Sequence, residues 1–197
     1  YVNSPQYDVT HEEMKKMKKE VEIRKKHAKK ALKILGVQQV RFLDLPNQEL
    51  DQIPLLKIIK EIEREIFETK ASIIFTHHYN DLNLDHRVAY EATITAARPI
   101  PDSKVSSIIS FEIPAATDWR KPYKFNPNLY IDISSQLTAK INALKAYQYE
   151  FRKPPHPRSK EITDAVAKRW GSLSGFKAAE AFEIIFSRMN NLENVSL

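Results

Sequence analysis

The segment FTHHYNDLNLDH, residues 75–86, holds His77, His78 and His86 together with Asn80, Asp81, Asn83 and Asp85. Neutral imidazoles are nitrogen ligands for zinc, and carboxylates either ligate through oxygen or orient the histidines that do. Asp85 directly precedes His86, which sets a carboxylate beside an imidazole where a helix begins. The same residue types have a plainer use. Asn and Asp cap helices and make turns, and Asn80, Asp81, Asn83 and Asp85 are all open to that reading. His77 and His78, at the end of an apolar run, read as core or rim histidines.

A strand must deliver this segment and a helix must receive it. ASIIFTH before it is a short apolar strand, and the pattern from about His86 to Arg98 is helical. Further strands are expected at VQQVRFLDL (residues 37–45), VSSIISFEI and NLYIDIS. Helices are expected from Met14 to Leu35, after Pro54 on the stripe Leu55, Ile58, Ile59, Ile62 and Ile66, and over SSQLTAKINALKAYQYEF. The tail beyond KPPHPRS reads as a loop and one or two more helices. Strands alternating with helices imply an α/β fold with a mostly parallel sheet, whose ligands bind beyond the carboxyl ends of the strands. The segment 75–86 lies at such an end.

The first helix carries its own signal. Met14, Met17, Val21, Ala28, Ala31 and Leu35 form its apolar stripe, Gly36 ends it, and Arg24 occupies a place in that stripe. A charge there is costly to bury unless it is paired or used. A polar ligand and an ion pair are both open as its explanation.

Composition narrows the class. The 197 residues, 42% of them hydrophobic, suit one domain over 1–197. No apolar run is long enough to span a membrane, and the first residues lack the order of a secretory signal. The chain has no cysteine, so thiolate and disulfide chemistry are excluded and the cytoplasm is the expected compartment. The net charge of +6 is concentrated in residues 1–36, with ten Lys/Arg against five Asp/Glu. That segment reads as a solvated helix face, and no nucleic-acid partner is expected.

The motifs LGVQQVRFLDLPNQELD, IIFTHHYNDLNLDHRVAYEATITAARP, IISFEIP, FNPNLYIDIS, KINALKAYQYEFRKPPHPRS and AEAFEII, in this order, resemble the PIG-L/LmbE-like family of zinc-dependent N-deacetylases. The resemblance runs from about Arg24 to about Ile185. It implies a Rossmann-like three-layer α/β domain that removes the acetyl group from an N-acetylated amino sugar or sugar conjugate. It also implies that His86 is a ligand to Zn2+ or another divalent metal, with Asp85 orienting a histidine or the metal-bound water. Asn83 stands where many members have a histidine that steadies the tetrahedral intermediate. An amide can donate there but cannot shuttle a proton. Arg24, with Asp81, is assigned to substrate binding. His156 and Arg158 fall on a segment read as structural or rim, and Tyr147 and Glu180 receive no catalytic role.

One departure is large. The family's first strand and its His-Pro-Asp-Asp motif, which supplies two metal ligands and the general base, have no counterpart here. Asp8 and His11 have the wrong spacing and read as a turn and a helix cap. The sequence is therefore expected to be an N-terminally incomplete enzyme, short of about 40–50 residues if the missing elements have ordinary lengths, and inactive in this form. The competing expectation is a non-catalytic sugar- or nucleotide-binding module. A homo-oligomer is left open.

Overall fold

A computed structural model describes residues 10–122 and 124–189; Asp8 lies outside them. The chain divides into two compact units, residues 1–48 with 130–180 and residues 49–129 with 181–197.

In the first unit, α1 (His11–Ile34) starts at a capping box. The Thr10 hydroxyl accepts from the Glu13 N–H, and the Glu13 carboxylate accepts from the Thr10 N–H at 2.9 Å. Thr10 is thus the cap, and His11, expected as a cap, is the first helical residue; Gly36 follows the helix at φ 74°. The stripe does not pack as its period suggests. Of the α1 residues, Ala31 is the one that is buried, against Ala143 and Ala146 at the end of α4 (Leu137–Lys145). Met14, Val21 and Leu35 are exposed. A second cluster joins Ile133, Ala167 and Ala178, with Leu137 packed against it. Ala167 comes from α5 (Lys160–Ser174), which is capped by the Ser159 hydroxyl.

Residues 37–45 are not a strand. Their apolar and β-branched residues suit a strand, but no neighbouring strand among the described residues offers a ladder. A strand exists only by pairing, so the segment stays irregular, with Val37, Val40, Phe42 and Leu43 exposed.

The second unit contains α2 (Leu55–Thr69), β1 (Ile73–His77), α3 (Leu84–Ala96) and β2 (Ser107–Phe111). Each agrees with its expected position. Ala97, Val105 and Ile108 form the core here, covered by Ile66, Ile74, Ile94 and Phe186. Burial of Val105 and of Ile108 contributes about 1.5–3 kcal/mol each.

Two more strands follow, β3 (Leu129–Asp132) and β4 (Ala179–Ser187). The four form one sheet in the order β1-β2-β4-β3. β1 and β2 are parallel, with Ile73 opposite Ser107 and His77 opposite Phe111. β4 is antiparallel to β2, with a bulge at Ile108/Ile109. It is antiparallel to β3 as well, since Asn128 donates to Phe182 and Ile133 to Ala178. The α/β class holds, but the mostly parallel sheet does not: one pair is parallel. The cause is β4, expected as helix, which enters the sheet in the opposite sense.

Candidate functional site

β1 ends at His77, and the turn that follows folds back on itself before α3. His78 is 1% exposed, and its Nδ1 accepts from the Asn80 N–H at 3.1 Å. In a neutral ring that leaves the proton on Nε2, which lies 3.2 Å from Glu183 Oε2 on β4. The ring also meets Tyr79 and Phe125 at 4.3 and 5.6 Å between centroids. His78 is therefore a core histidine, as expected. His77 is half-buried, stacked on His86 at 4.2 Å and against Phe111 at 5.1 Å. Burial, with the charge of His86 as a second cause, pushes its pKa down to about 4, so it is neutral at physiological pH.

Asp81 anchors the turn. Its side chain is fully buried, with Oδ1 accepting from the Asn83 N–H at 2.8 Å and Oδ2 accepting from the Thr117 hydroxyl at 3.0 Å. His86 Nδ1 lies 3.1 Å from Oδ1, at hydrogen-bond distance although its N–H is not aimed squarely. Burial acts to raise the Asp81 pKa. The His86 contact, the Asn83 N–H and the Thr117 hydroxyl outweigh it and hold the carboxyl below the usual range. The carboxylate is ionised, and it lies beside Nδ1 of His86. A carboxylate behind a histidine in this way is the geometry common behind metal ligands.

Asn83 is the N-cap of α3, with its Oδ1 accepting from the Asp85 N–H at 2.9 Å. Asp85 Oδ1 accepts from the Leu50 N–H at 3.1 Å, which ties the turn Leu50–Gln52 to the helix start. The plain capping reading holds for Asn83. The backbone contacts of Asn83 and Asp85 hold the helix start that carries His86.

Of the residues singled out from the sequence, the structure brings Asp81, Asn83, Asp85 and His86 together. At zero exposure the Asp81 carboxylate is out of a substrate's reach, and its oxygens face the chain's own groups. Arg24 lies in the other unit. It is exposed rather than buried, and its Nη2 lies 3.1 Å from Glu150 Oε1. Arg158 pairs with the other oxygen of Glu150, and its N–H donates to His156 Nδ1, consistent with a structural segment. Glu180 pairs with Lys140 at 2.7 Å. Thr117 was not legible as a site residue. It is 36 positions from Asp81, inside a Pro- and aromatic-rich stretch without a periodic signal.

A zinc site needs about three protein ligands and an open position. The described residues contain no group of three or more His, Cys, Asp or Glu side chains able to hold a metal ion. The described residues do not supply such a set. No helix among them is long and apolar enough to cross a membrane.

Comparison with known proteins agrees with the resemblance read from the sequence. The family model described as PIG-L, GlcNAc-PI de-N-acetylase, matches residues 3–97, just under half of the chain. Three solved structures share the fold. A conserved protein from Thermus thermophilus has a TM-score of 0.67 at 18% identity, covering 89% of this chain and 78% of that one. The N,N'-diacetylchitobiose deacetylase from Pyrococcus horikoshii, solved with an inhibitor, has 0.66 at 17%, covering 93% and 68%. GalB, the 4-carboxy-2-hydroxymuconate hydratase from Pseudomonas putida, has 0.66 at 19%, covering 94% and 78%. A deacetylase and a hydratase on one fold show that the fold alone does not choose the reaction.

Proposed function

We propose, on the premise of a PIG-L-type match over residues 3–97, that this chain is part of a metal-dependent hydrolase that removes an acetyl group from an N-acetylated amino sugar or sugar conjugate. The observation that carries the proposal is the buried Asp81 carboxylate set 3.1 Å behind His86 Nδ1 at the carboxyl end of β1. A carboxylate so placed behind a histidine is the arrangement common behind metal ligands. Zn2+ is the ion that suits a neutral imidazole ligand in such an enzyme, and its chemistry there is to polarise the amide carbonyl and acidify water.

Because the described residues do not complete a zinc site, no hydrolytic step is assigned to them. Their own contribution is positional. Asp81 sets a carboxylate behind His86, Asp85 ties the helix start to the Leu50 turn, and Asn83 caps the helix. Asp81 acts as a positioning residue, not as a contact to substrate. Arg24, on the exposed face of α1, binds the polar substrate in competition with Glu150.

The test is metal content and acetate release in the protein at its native length. His86→Ala is expected to lose bound zinc and deacetylation together while the fold is kept. Full zinc and full acetate release in that variant would sink the assignment. The second reading, a binding module without catalysis, is favoured by the missing three-donor set among the described residues. It predicts sugar binding that chelators leave unchanged.

A further inference from the structure

The helix α1 carries ten Lys/Arg against four Glu, and Ala31 is the one residue of its 24 that is buried. The side that meets the rest of its unit is marked by Ala31 against α4 and by Arg24 on Glu150. His27 lies on that side too, its ring 6.4 and 5.8 Å from those of Tyr147 and Tyr149. At about 100° per residue, Lys15, Lys18, Lys26, Lys29 and Lys33 fall roughly 140–160° round the helix from Ala31. They form one strip on the side away from α4, and all five are exposed. Met14 and Val21, 46% and 40% exposed, border that strip at about 80–100° from Ala31.

The charge of the strip is not cancelled within the unit. Arg24 and Lys25 are the basic residues of α1 that pair with a carboxylate among the described residues, Lys25 with both Glu22 and Asp44. Glu22 falls inside the lysine strip and is taken up by that pair. Glu13 is held in the capping box, Glu12 stands in the first turn, and Glu20 lies toward α4. Five lysines without a carboxylate partner thus line one side of a 24-residue helix, about 36 Å long, and face solvent.

We infer that α1 is a docking surface for an anionic lipid bilayer. The helix lies along the headgroups, with the lysine strip on lipid phosphates and Met14 and Val21 at the acyl boundary. A basic strip beside exposed apolar residues is the pattern of a helix that rests in such an interface without crossing it. Negative lipids attract each ammonium, and the lysine stems run along apolar surface while their charges stay at headgroup level. A nucleic acid would draw on the charges alone and leave Met14 and Val21 without a role. The inference does not depend on metal binding or on deacetylation.

The test is sedimentation of the full chain with vesicles of equimolar phosphatidylcholine and phosphatidylserine, against vesicles of phosphatidylcholine alone. Binding to the anionic vesicles is expected to be tighter by about tenfold or more. Lys15→Gln, Lys18→Gln and Lys29→Gln together should weaken it by about tenfold or more, whereas arginine at the same three places should keep it. Met14→Gln with Val21→Gln should weaken it by about threefold or more. Glutamine is a good helix former, so α1 should persist in these variants by circular dichroism. The vesicle comparison on the unaltered chain keeps the test open to failure even if a variant does not fold. Equal binding to the two vesicle types, or full binding by the glutamine triple variant, would overturn the inference. So would duplex DNA of random sequence bound as tightly as the anionic vesicles, or vesicle binding indifferent to the change at Met14 and Val21.

Discussion

Thr117 donates its hydroxyl to Asp81 Oδ2 at 3.0 Å, on the opposite side of the carboxylate from the oxygen that faces His86. The loop after β2 and the start of α3 therefore share one buried acid. Any movement of that loop is felt at the histidine ring through two short contacts.

The cap of α3 separates architecture from chemistry. Asn83→Ala removes the acceptor for the Asp85 N–H and is expected to cost about 1 kcal/mol of stability by denaturant unfolding. Asn83→Asp keeps the cap and the stability but loses the amide donor. If Asn83 steadies a developing oxyanion, turnover falls in both variants; unchanged turnover in Asn83→Asp confines the residue to capping.

Arg24 gives a second separation. Its pair with Glu150 is exposed, so Arg24→Ala is expected to change stability by less than about 1 kcal/mol. Steady-state kinetics should show a raised KM with bound zinc unchanged. An unaltered KM would leave Arg24 with Glu150 alone.

Gly171 lies where α5 touches the chain beyond it. A Cβ there would come within 2.7 Å of the Phe176 carbonyl oxygen and 2.8 Å of the Ala178 Cα, both backbone. Gly171→Ala should therefore destabilise by about 1–3 kcal/mol despite the better helix propensity of alanine. A rise in the urea midpoint would show that the approach is looser than it looks.

The capping box of α1 supplies an acid-sensitive contact. The Thr10 backbone and hydroxyl bonds lower the Glu13 pKa from its ordinary value of 4.5. The folded value is below the unfolded one, so the stabilisation is complete above about pH 4.5 and fades as pH falls through the lower folded value. Thr10→Ala should cost about 1 kcal/mol at neutral pH and progressively less in acid, read as the gap between the two unfolding midpoints.

Much of this was legible in the sequence where a pattern is local. Leu55–Thr69 and the strand at Ile73–His77 followed from period and punctuation, and Gly36 marked the end of α1. Pairing was not legible. AEAFEIIF carries apolar spacing that fits helix or strand, and only β2 and β3 beside it decide for the strand. VQQVRFLDL has the composition of a strand and no partner among the described residues. In the site, His86 and its neighbours were visible as a cluster of chemistry-bearing types. That Asp81 faces inward, with Thr117 behind it, depends on a contact across 36 residues that no local pattern encodes.

The position of β4 has a consequence for how the chain reaches this state. Of the four strands among the described residues, the one that completes the sheet is made last. Ser107 and Ser187, whose hydroxyls meet at 3.2 Å, are 80 residues apart in sequence. Until β4 is synthesised, β2 keeps one open edge and Glu183 is not yet there to face His78. Folding must then close a long loop before its contacts reward it, which makes the assembly slow and leaves the growing chain exposed to edge-to-edge association. A ribosome-bound chain halted before Ala179 would hold helices and the β1–β2 pair, but not the sheet.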